Sequence, residues 1–310
     1  MAPLTNGPYS MEVYFRCLKA CQSDLESRGC GWFVDEHDFL VFHLGGSAKF
    51  VRHAFEQATY AAHGERTVDE SEMSARFARL VEPSLGLAKR IGPMHTASTY
   101  VNLSSLLLQS KPAVGARIGV FSYGSGAAAT MYHLRVRGEV RIDKQLLEHL
   151  GARERLSAVD FFSSWGRYTR TYGRFGWKPK VRGSPVTPGY RLKAVTTLGR
   201  RDYESVLCTS MRVSQALAVS SAEPWRPNRR EEMGAKGRAV GMHALEVYTP
   251  RRYTTAADLE VEHDVQGKYT QGLMMVEYAV CDEDEDPVSM ALTAVSRLLA
   301  GHNLCHEDVG

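Results

Sequence analysis

The 310 residues contain no run of about 20 apolar side chains, so no segment reads as a membrane span. Charge of one sign is also lacking: the net charge is +3 and the pI near 8.5, far from the concentrated basic balance of a nucleic-acid binder. Cysteine is sparse and scattered, at 17, 21, 30, 208, 281 and 305, and a chain of this size needs no disulfide staples, which favours a reducing compartment. Neither Cys30, His37 and His43 nor His302, Cys305 and His306 fit zinc-ligand spacing, so no metal is expected. No GxxxxGK[ST] phosphate loop occurs. The first residues, MAPLTNGPYSMEV, have neither a basic apolar leader nor an Arg-rich amphipathic presequence, and the expectation is a soluble, cytoplasmic protein.

What is present is a 44% hydrophobic chain with mixed strand and helix periodicity, sufficient for a buried α/β core. Helical spacing predicts helices over 11–26, 47–62, 70–91, 99–108 and within 143–172. Strands are predicted at Phe39–His43, at Arg117–Tyr123 with Ala128–Val136, and as a ribbon over Tyr190–Tyr203. From 206 to 238 no period survives, as in a linker. Residues 240–248 read as β-rich, and Asp286 before Pro287 reads as a helix start. The acidic run 282–286 lacks the glycine and distal glutamate of a calcium loop and reads as a solvated cap. Cys17 and Cys281 read as core residues.

The most informative string is ARIGVFSYGSG, Ala116–Gly126, an apolar strand ending in small residues that expose hydroxyls and backbone N–H groups. It resembles the FSYGSG signature of hydroxymethylglutaryl-CoA synthases. Four further segments agree with that family: GPYS (7–10), FLVFHLGGSAK (39–49), GPMHTAS (92–98) and YRLKAVTTLGRRDY (190–203). They follow the order of the family's C-terminal half. Residues 240–310, with VGMHALEVYTPRRYTTAADLE and GKYTQGL, resemble the start of the same family. The end of one copy thus precedes the start of another, which divides the chain into 1–205, a linker over 206–238, and 239–310.

The resemblance implies an α/β, thiolase-like layered fold, here incomplete, and a reaction that condenses acetyl-CoA with acetoacetyl-CoA in the mevalonate pathway. It implies no cofactor beyond these acyl-CoA substrates, no nucleic-acid or membrane partner, and a homodimer. The chemistry calls for a cysteine thiolate, a carboxylate base and a donor to the acceptor ketone. His43 falls at the family's catalytic histidine. Ser10 and Ser122 fall where the acyl portion is bonded, and Lys49 where the CoA phosphates are met. Val265 and Gln266 precede GKYT where many members have a ligand-contacting acidic residue followed by alanine.

Departures are equally specific. Pro93 replaces an asparagine and removes an amide, Asn6 stands where the family has aspartate, and the Gly45–Gly46 loop is one residue longer. The family's glutamate base and nucleophilic cysteine are not found, and none of the six cysteines falls in the expected segment. The expected product is therefore a synthase relative inactive by itself. The alternatives are a catalytically dead acyl-CoA-binding or scaffold protein, and a fragment spanning two tandem units.

Overall fold

The computed structural model describes residues 7–64, 68–124, 126–143, 145–181, 189–206 and 241–302. In chain order the elements are α1 (Gly7–Ser27), β1 (Phe39–Phe42), α2 (Ala48–His63), α3 (Glu70–Leu80), α4 (Ala88–Ile91), α5 (Ala97–Ser110), β2 (Arg117–Gly124) and β3 (Ala128–Arg135). They continue with β4 (Arg141–Ile142), α6 (Leu146–Gly151), β5 (Glu154–Arg155), α7 (Ala158–Thr171), β6 (Gly189–Val195), β7 (Arg201–Val206) and β8 (Ala244–Leu245). Last come β9 (Arg252–Thr255), α8 (Ala256–His263), β10 (Glu277–Val280) and α9 (Pro287–His302).

Two compact units result. One takes the chain up to Glu139 together with Thr255–Tyr278; the other takes Val140–Thr254 and Ala279 onward. Residues 240–310 are thus shared between both units. The linker predicted over 206–238 lies outside the described residues except Val206, which ends β7.

In the first unit β1 pairs parallel with β2, Phe42 opposite Phe121, and β2 pairs antiparallel with β3, Ser122 opposite Thr130. Gly119 lies at the crowded centre of β2, where a Cβ would sit 2.7 Å from the Phe33 ring and 2.8 Å from Leu40. Only glycine lets these side chains close over the strand. Tyr14, Leu18, Phe42, Phe55, Phe77 and Met275 belong to one buried cluster, to which Leu273 and Met274 pack. Removal of these apolar faces from water is what holds 255–278 to this unit.

The helix starts are set by short polar caps. Ser47, Asp69, Ser157 and Thr255 each accept a backbone N–H of the first turn, from Phe50, Glu72, Asp160 and Asp258. Asp286 does the same for α9 from Ser289, in agreement with the sequence.

Three predicted elements differ. The helix over 70–91 breaks after Leu80 into a 3-10 turn at Glu82–Ser84 and the single turn α4. Pro83 has no N–H to give to the Arg79 carbonyl, and its ring collides with the preceding turn. Helix over 143–172 is interrupted by β5, because Glu154 and Leu156 donate to the carbonyls of Arg251 and Tyr253, a long-range ladder that outcompetes local helix.

The acidic run is the third. In the second unit Asp284 and Glu285 are buried and Asp282 is half-buried with its carboxylate largely covered, and all three carboxylates bind Arg251. Arg252 bridges Asp282 and Glu154, while Asp286 accepts from Arg201 and Tyr203. Two consecutive arginines at the start of β9 supply the charge that makes burial of the run tolerable. Cys281, just past β10, is exposed as a residue, yet burial pushes its thiol up to about 12; Cys17 is half-buried at the edge of the core.

Candidate functional site

FHLGGSAK opens at Phe42 and FSYGSG at Phe121, far apart in the chain, yet pairing of β1 with β2 puts their candidate site residues side by side. Phe42 lies opposite Phe121 in a parallel pair, and the His43 N–H donates to the Phe121 carbonyl at 2.8 Å. His43 and Ser122, the next residue on each strand, therefore leave adjacent strands at the same level.

His43 is buried, 7% exposed, and its Nδ1 has no hydrogen-bond partner among the described residues. Burial, reinforced by the neighbouring imidazole of His95, lowers its pKa below 6.5. The ring is held neutral, with one N–H donor and one free lone pair. Around it stand the rings of Tyr14 and Tyr123, centroids 6.5 and 6.1 Å away. The Tyr14 hydroxyl donates to the His43 carbonyl at 3.0 Å.

Helix α5 supplies the other wall. Thr99 and Asn102, one turn apart on a buried face, reach the two strand ends: Thr99 Oγ1 donates to Ser122 Oγ at 3.4 Å and Asn102 Nδ2 to the Phe42 carbonyl at 2.9 Å. The Asn102 Oδ1 has no partner among the described residues. The site thus presents a neutral imidazole, two hydroxyls and an amide oxygen, with Tyr14 fixing the backbone beneath the histidine.

The remaining sequence-predicted residues are placed as follows. Ser10 is exposed on α1, one turn before Tyr14 on the same helix face. GPYS is the first turn of α1 itself, not a segment ahead of the helix. Lys49 is exposed in the first turn of α2, where its backbone N–H donates to the Leu273 carbonyl at 3.1 Å. In the loop before it, Gly45 has φ of 66°, and a Cβ there would fall 2.4 Å from the Phe50 ring.

Val265 and Gln266 follow α8, in a loop gathered around one carboxylate. Glu260 accepts N–H groups of Gly267, Tyr269 and Thr270 and the Thr270 hydroxyl, and these bonds lower its pKa. Val265 is half-buried and Gln266 exposed. Through Leu273 and Lys49 the loop's far end adjoins the start of α2, so this piece is built into the same unit as His43.

Tyr14, Thr99 and Asn102 lie in none of the quoted motifs, and Tyr123 and His95 lie within FSYGSG and GPMHTAS without being singled out there. Thr99 and Asn102 share helical spacing, but Ser98, Ser104 and Ser105 of the same helix are polar and buried too, so spacing alone does not single them out.

Family sequence models match two stretches of the chain. One, described as Hydroxymethylglutaryl-coenzyme A synthase C terminal, matches residues 65–205; the other, Hydroxymethylglutaryl-coenzyme A synthase N terminal, matches 236–310. Together they cover more than half of the chain. The chain belongs to the hydroxymethylglutaryl-CoA synthase family. Its two family segments stand in the order C-terminal, then N-terminal.

Among curated relatives, the hydroxymethylglutaryl-CoA synthase-like protein AKT4-1 of Alternaria alternata is 29% identical, over 65% of this chain and 58% of its own length. The Aspergillus fumigatus synthase erg13B is 31% identical, over 65% and 55%, and the mitochondrial synthase of Sus scrofa 26%, over 65% and 50%. The chain therefore spans little more than half the length of the hydroxymethylglutaryl-CoA synthases it matches. PksG, a HMG-CoA synthase from Bacillus subtilis, shares the fold with a TM-score of 0.55 at 20% identity, over 66% of this chain and 52% of that one. The HMG synthase of the curacin biosynthetic pathway in complex with acetyl donor-ACP has a TM-score of 0.53 at 22% identity, over 65% and 51%. The chain is an α/β protein of thiolase-like fold.

Proposed function

We propose that the His43 site binds the acyl thioester of a CoA substrate, and that these 310 residues alone do not complete the family's condensation of acetyl-CoA with acetoacetyl-CoA. The observation that carries the reading is the buried, unpartnered Nδ1 of His43 beside the Ser122 and Thr99 hydroxyls. A polar atom buried without a partner costs free energy, and a ligand oxygen or proton that completes it recovers that cost. A neutral imidazole can donate its N–H to a thioester or ketone oxygen, which is where charge develops in a condensation. Ser122 and Ser10 are assigned to the acyl portion, Lys49 to the CoA phosphates, and Val265 and Gln266 to the rim.

The covalent half-reaction needs a thiolate to receive the acetyl group and a carboxylate to remove its methyl proton. Cys17, Cys21, Cys30 and Cys281 lie outside the family's nucleophile segment, as do Cys208 and Cys305 by position in the sequence. The reading includes acetyl-CoA and acetoacetyl-CoA as ligands, no cofactor, a homodimer and a cytoplasmic place in the mevalonate route to sterol precursors. No described helix is long and apolar enough to cross a membrane.

Calorimetry with acetyl-CoA and acetoacetyl-CoA tests the binding, and labelled acetyl-CoA tests the chemistry. Binding that weakens in His43→Ala, with no acid-stable label on the protein, is expected. Stoichiometric labelling of any cysteine, or affinity indifferent to His43, overturns the reading. A second reading, a stretch running across two tandem synthase units, is favoured by the order of the two family segments. Sequencing the transcript on both sides of the 310 residues decides it: flanking synthase sequence supports it, and unrelated or untranslated flanks refute it.

A further inference from the structure

Helix α7 wears its aromatic side outward. Phe162, Trp165, Tyr168 and Tyr172 recur at spacings of three and four, which aligns them along one face, and they are 36, 62, 54 and 75% exposed. Phe175, just past the helix, is 66% exposed. The opposite side faces its own unit through polar contacts: Arg167 pairs with Glu283 at 3.8 Å and donates to Ser164, with both charged groups largely covered. Water-exposed aromatics in a continuous stripe are rare on a finished protein surface and mark a surface that meets something else.

Charge indicates what that is. Residues 158–180 carry five cations, Arg167, Arg170, Arg174, Lys178 and Lys180, against the one acid Asp160. All but Arg167 are exposed. A second copy docking by this face would oppose like charges. A nucleic acid would need open ring faces, but Trp165 and Tyr168 stack on each other at 5.9 Å and 30°, and Tyr168 stands 5.7 Å from Tyr172. Rings packed on one another have fewer open faces, and each of the three pairs an apolar body with a polar group, an indole N–H or a phenol hydroxyl. That is the side-chain chemistry of the boundary between lipid headgroups and acyl chains.

We infer that α7 lies on an anionic phospholipid surface, with Trp165, Tyr168 and Tyr172 at the acyl boundary and Arg170, Arg174, Lys178 and Lys180 among the headgroup phosphates. No spanning segment is required, since an amphipathic helix with basic residues beside an aromatic face lies in the plane of the interface. Attraction to acidic lipid adds to the apolar contact and falls with salt.

The test is co-sedimentation of the full chain with phosphatidylcholine vesicles and with phosphatidylcholine–phosphatidylserine vesicles, paired with tryptophan quenching by brominated lipid. Binding to the serine-containing vesicles alone is expected. Arg170→Glu with Arg174→Glu should lower partitioning by on the order of tenfold or more. Trp165→Phe keeps an aromatic ring and should preserve binding while removing most of the quenching. Absence of sedimentation with anionic vesicles overturns the inference. So does quenching unchanged in Trp165→Phe, which would put another surface on the lipid. Dimerisation sensitive to Trp165→Ser without vesicle binding would reassign the face to a second copy, and displacement of bound vesicles by single-stranded RNA at lower concentration than by salt would reassign it to nucleic acid.

Discussion

The Tyr14 hydroxyl donates to the His43 carbonyl at 3.0 Å, tying α1 to the end of β1 across 29 residues. Burial pushes the Tyr14 phenol well above its ordinary range, and its ring is packed edge-on against Phe50, Phe121 and Tyr123. The phenol is a permanent donor and sets the level at which the imidazole emerges. Tyr14→Phe keeps the ring and strands the carbonyl, and should cost about 1–3 kcal/mol in urea unfolding. Tyr14→Ala also opens a cavity and should cost about 3–5 kcal/mol. The Phe variant should further weaken acyl-CoA binding, whereas a change in neither stability nor affinity would show that Tyr14 does not position His43.

His43 should titrate below the ordinary histidine value of 6.5, because burial and His95 both disfavour its cation. Its folded pKa is depressed, so folding is disfavoured when the ring must carry charge: stability is complete above 6.5 and declines as pH falls below it. Two-dimensional NMR of the ring protons reads the pKa directly, and His43→Gln should remove that part of the acid sensitivity.

Arg251 faces Asp282, Asp284 and Glu285 in a largely buried setting, and its removal takes the cation from Asp284 and Glu285 while Asp282 keeps Arg252. Arg251→Met should destabilise the second unit by roughly 3–5 kcal/mol. Arg251→Lys restores the charge but not the planar fork and should recover only part of the loss. Differential scanning calorimetry distinguishes them, since the His43-bearing unit should keep its own transition.

Glu246 is pushed up to about 7 by burial and by Asp143, with Arg297 opposing, and its Oε1 has no partner among the described residues. A raised folded pKa means the folded state holds the proton more tightly than the unfolded chain. The stability this contributes is complete below 4.5 and lost as pH rises through about 7. The loss should be on the order of 1–3 kcal/mol. Glu246→Gln should flatten thermal stability over this window; an unchanged slope would place the titration elsewhere.

Lys49→Ala should weaken CoA-thioester binding by about 1–3 kcal/mol if its ammonium meets phosphate, as a charge-assisted contact does. The same variant should leave binding of the phosphate-free acyl pantetheine unchanged. Equal loss for both ligands would mean that Lys49 acts through the start of α2 instead.

Several elements were legible in the chain because their causes are local. Ser47 and Asp286 cap their helices by bonds to residues three positions on, and ARIGVFSYGSG reads as a strand from its own apolar run. Pro83 was equally local, yet the apolar stripe on either side of it reads through the break. The acidic run shows the opposite case. Nothing within 282–286 reveals that Arg251 and Arg252, 30 residues earlier, enter it and remove it from water.

By itself the sequence determined many of the strands and helices of the first 205 residues, the caps of several helices and, through FSYGSG and its companion motifs, the family, with His43 and Ser122 as its candidate site residues. Only the tertiary structure decided that these two leave neighbouring strands at one level. It alone seats Tyr14, Thr99 and Asn102 around them and draws 255–278 into the His43 unit. The physical reason is range: caps and periodicity act within a turn or two, whereas burial and strand pairing join residues that only the folded chain brings together.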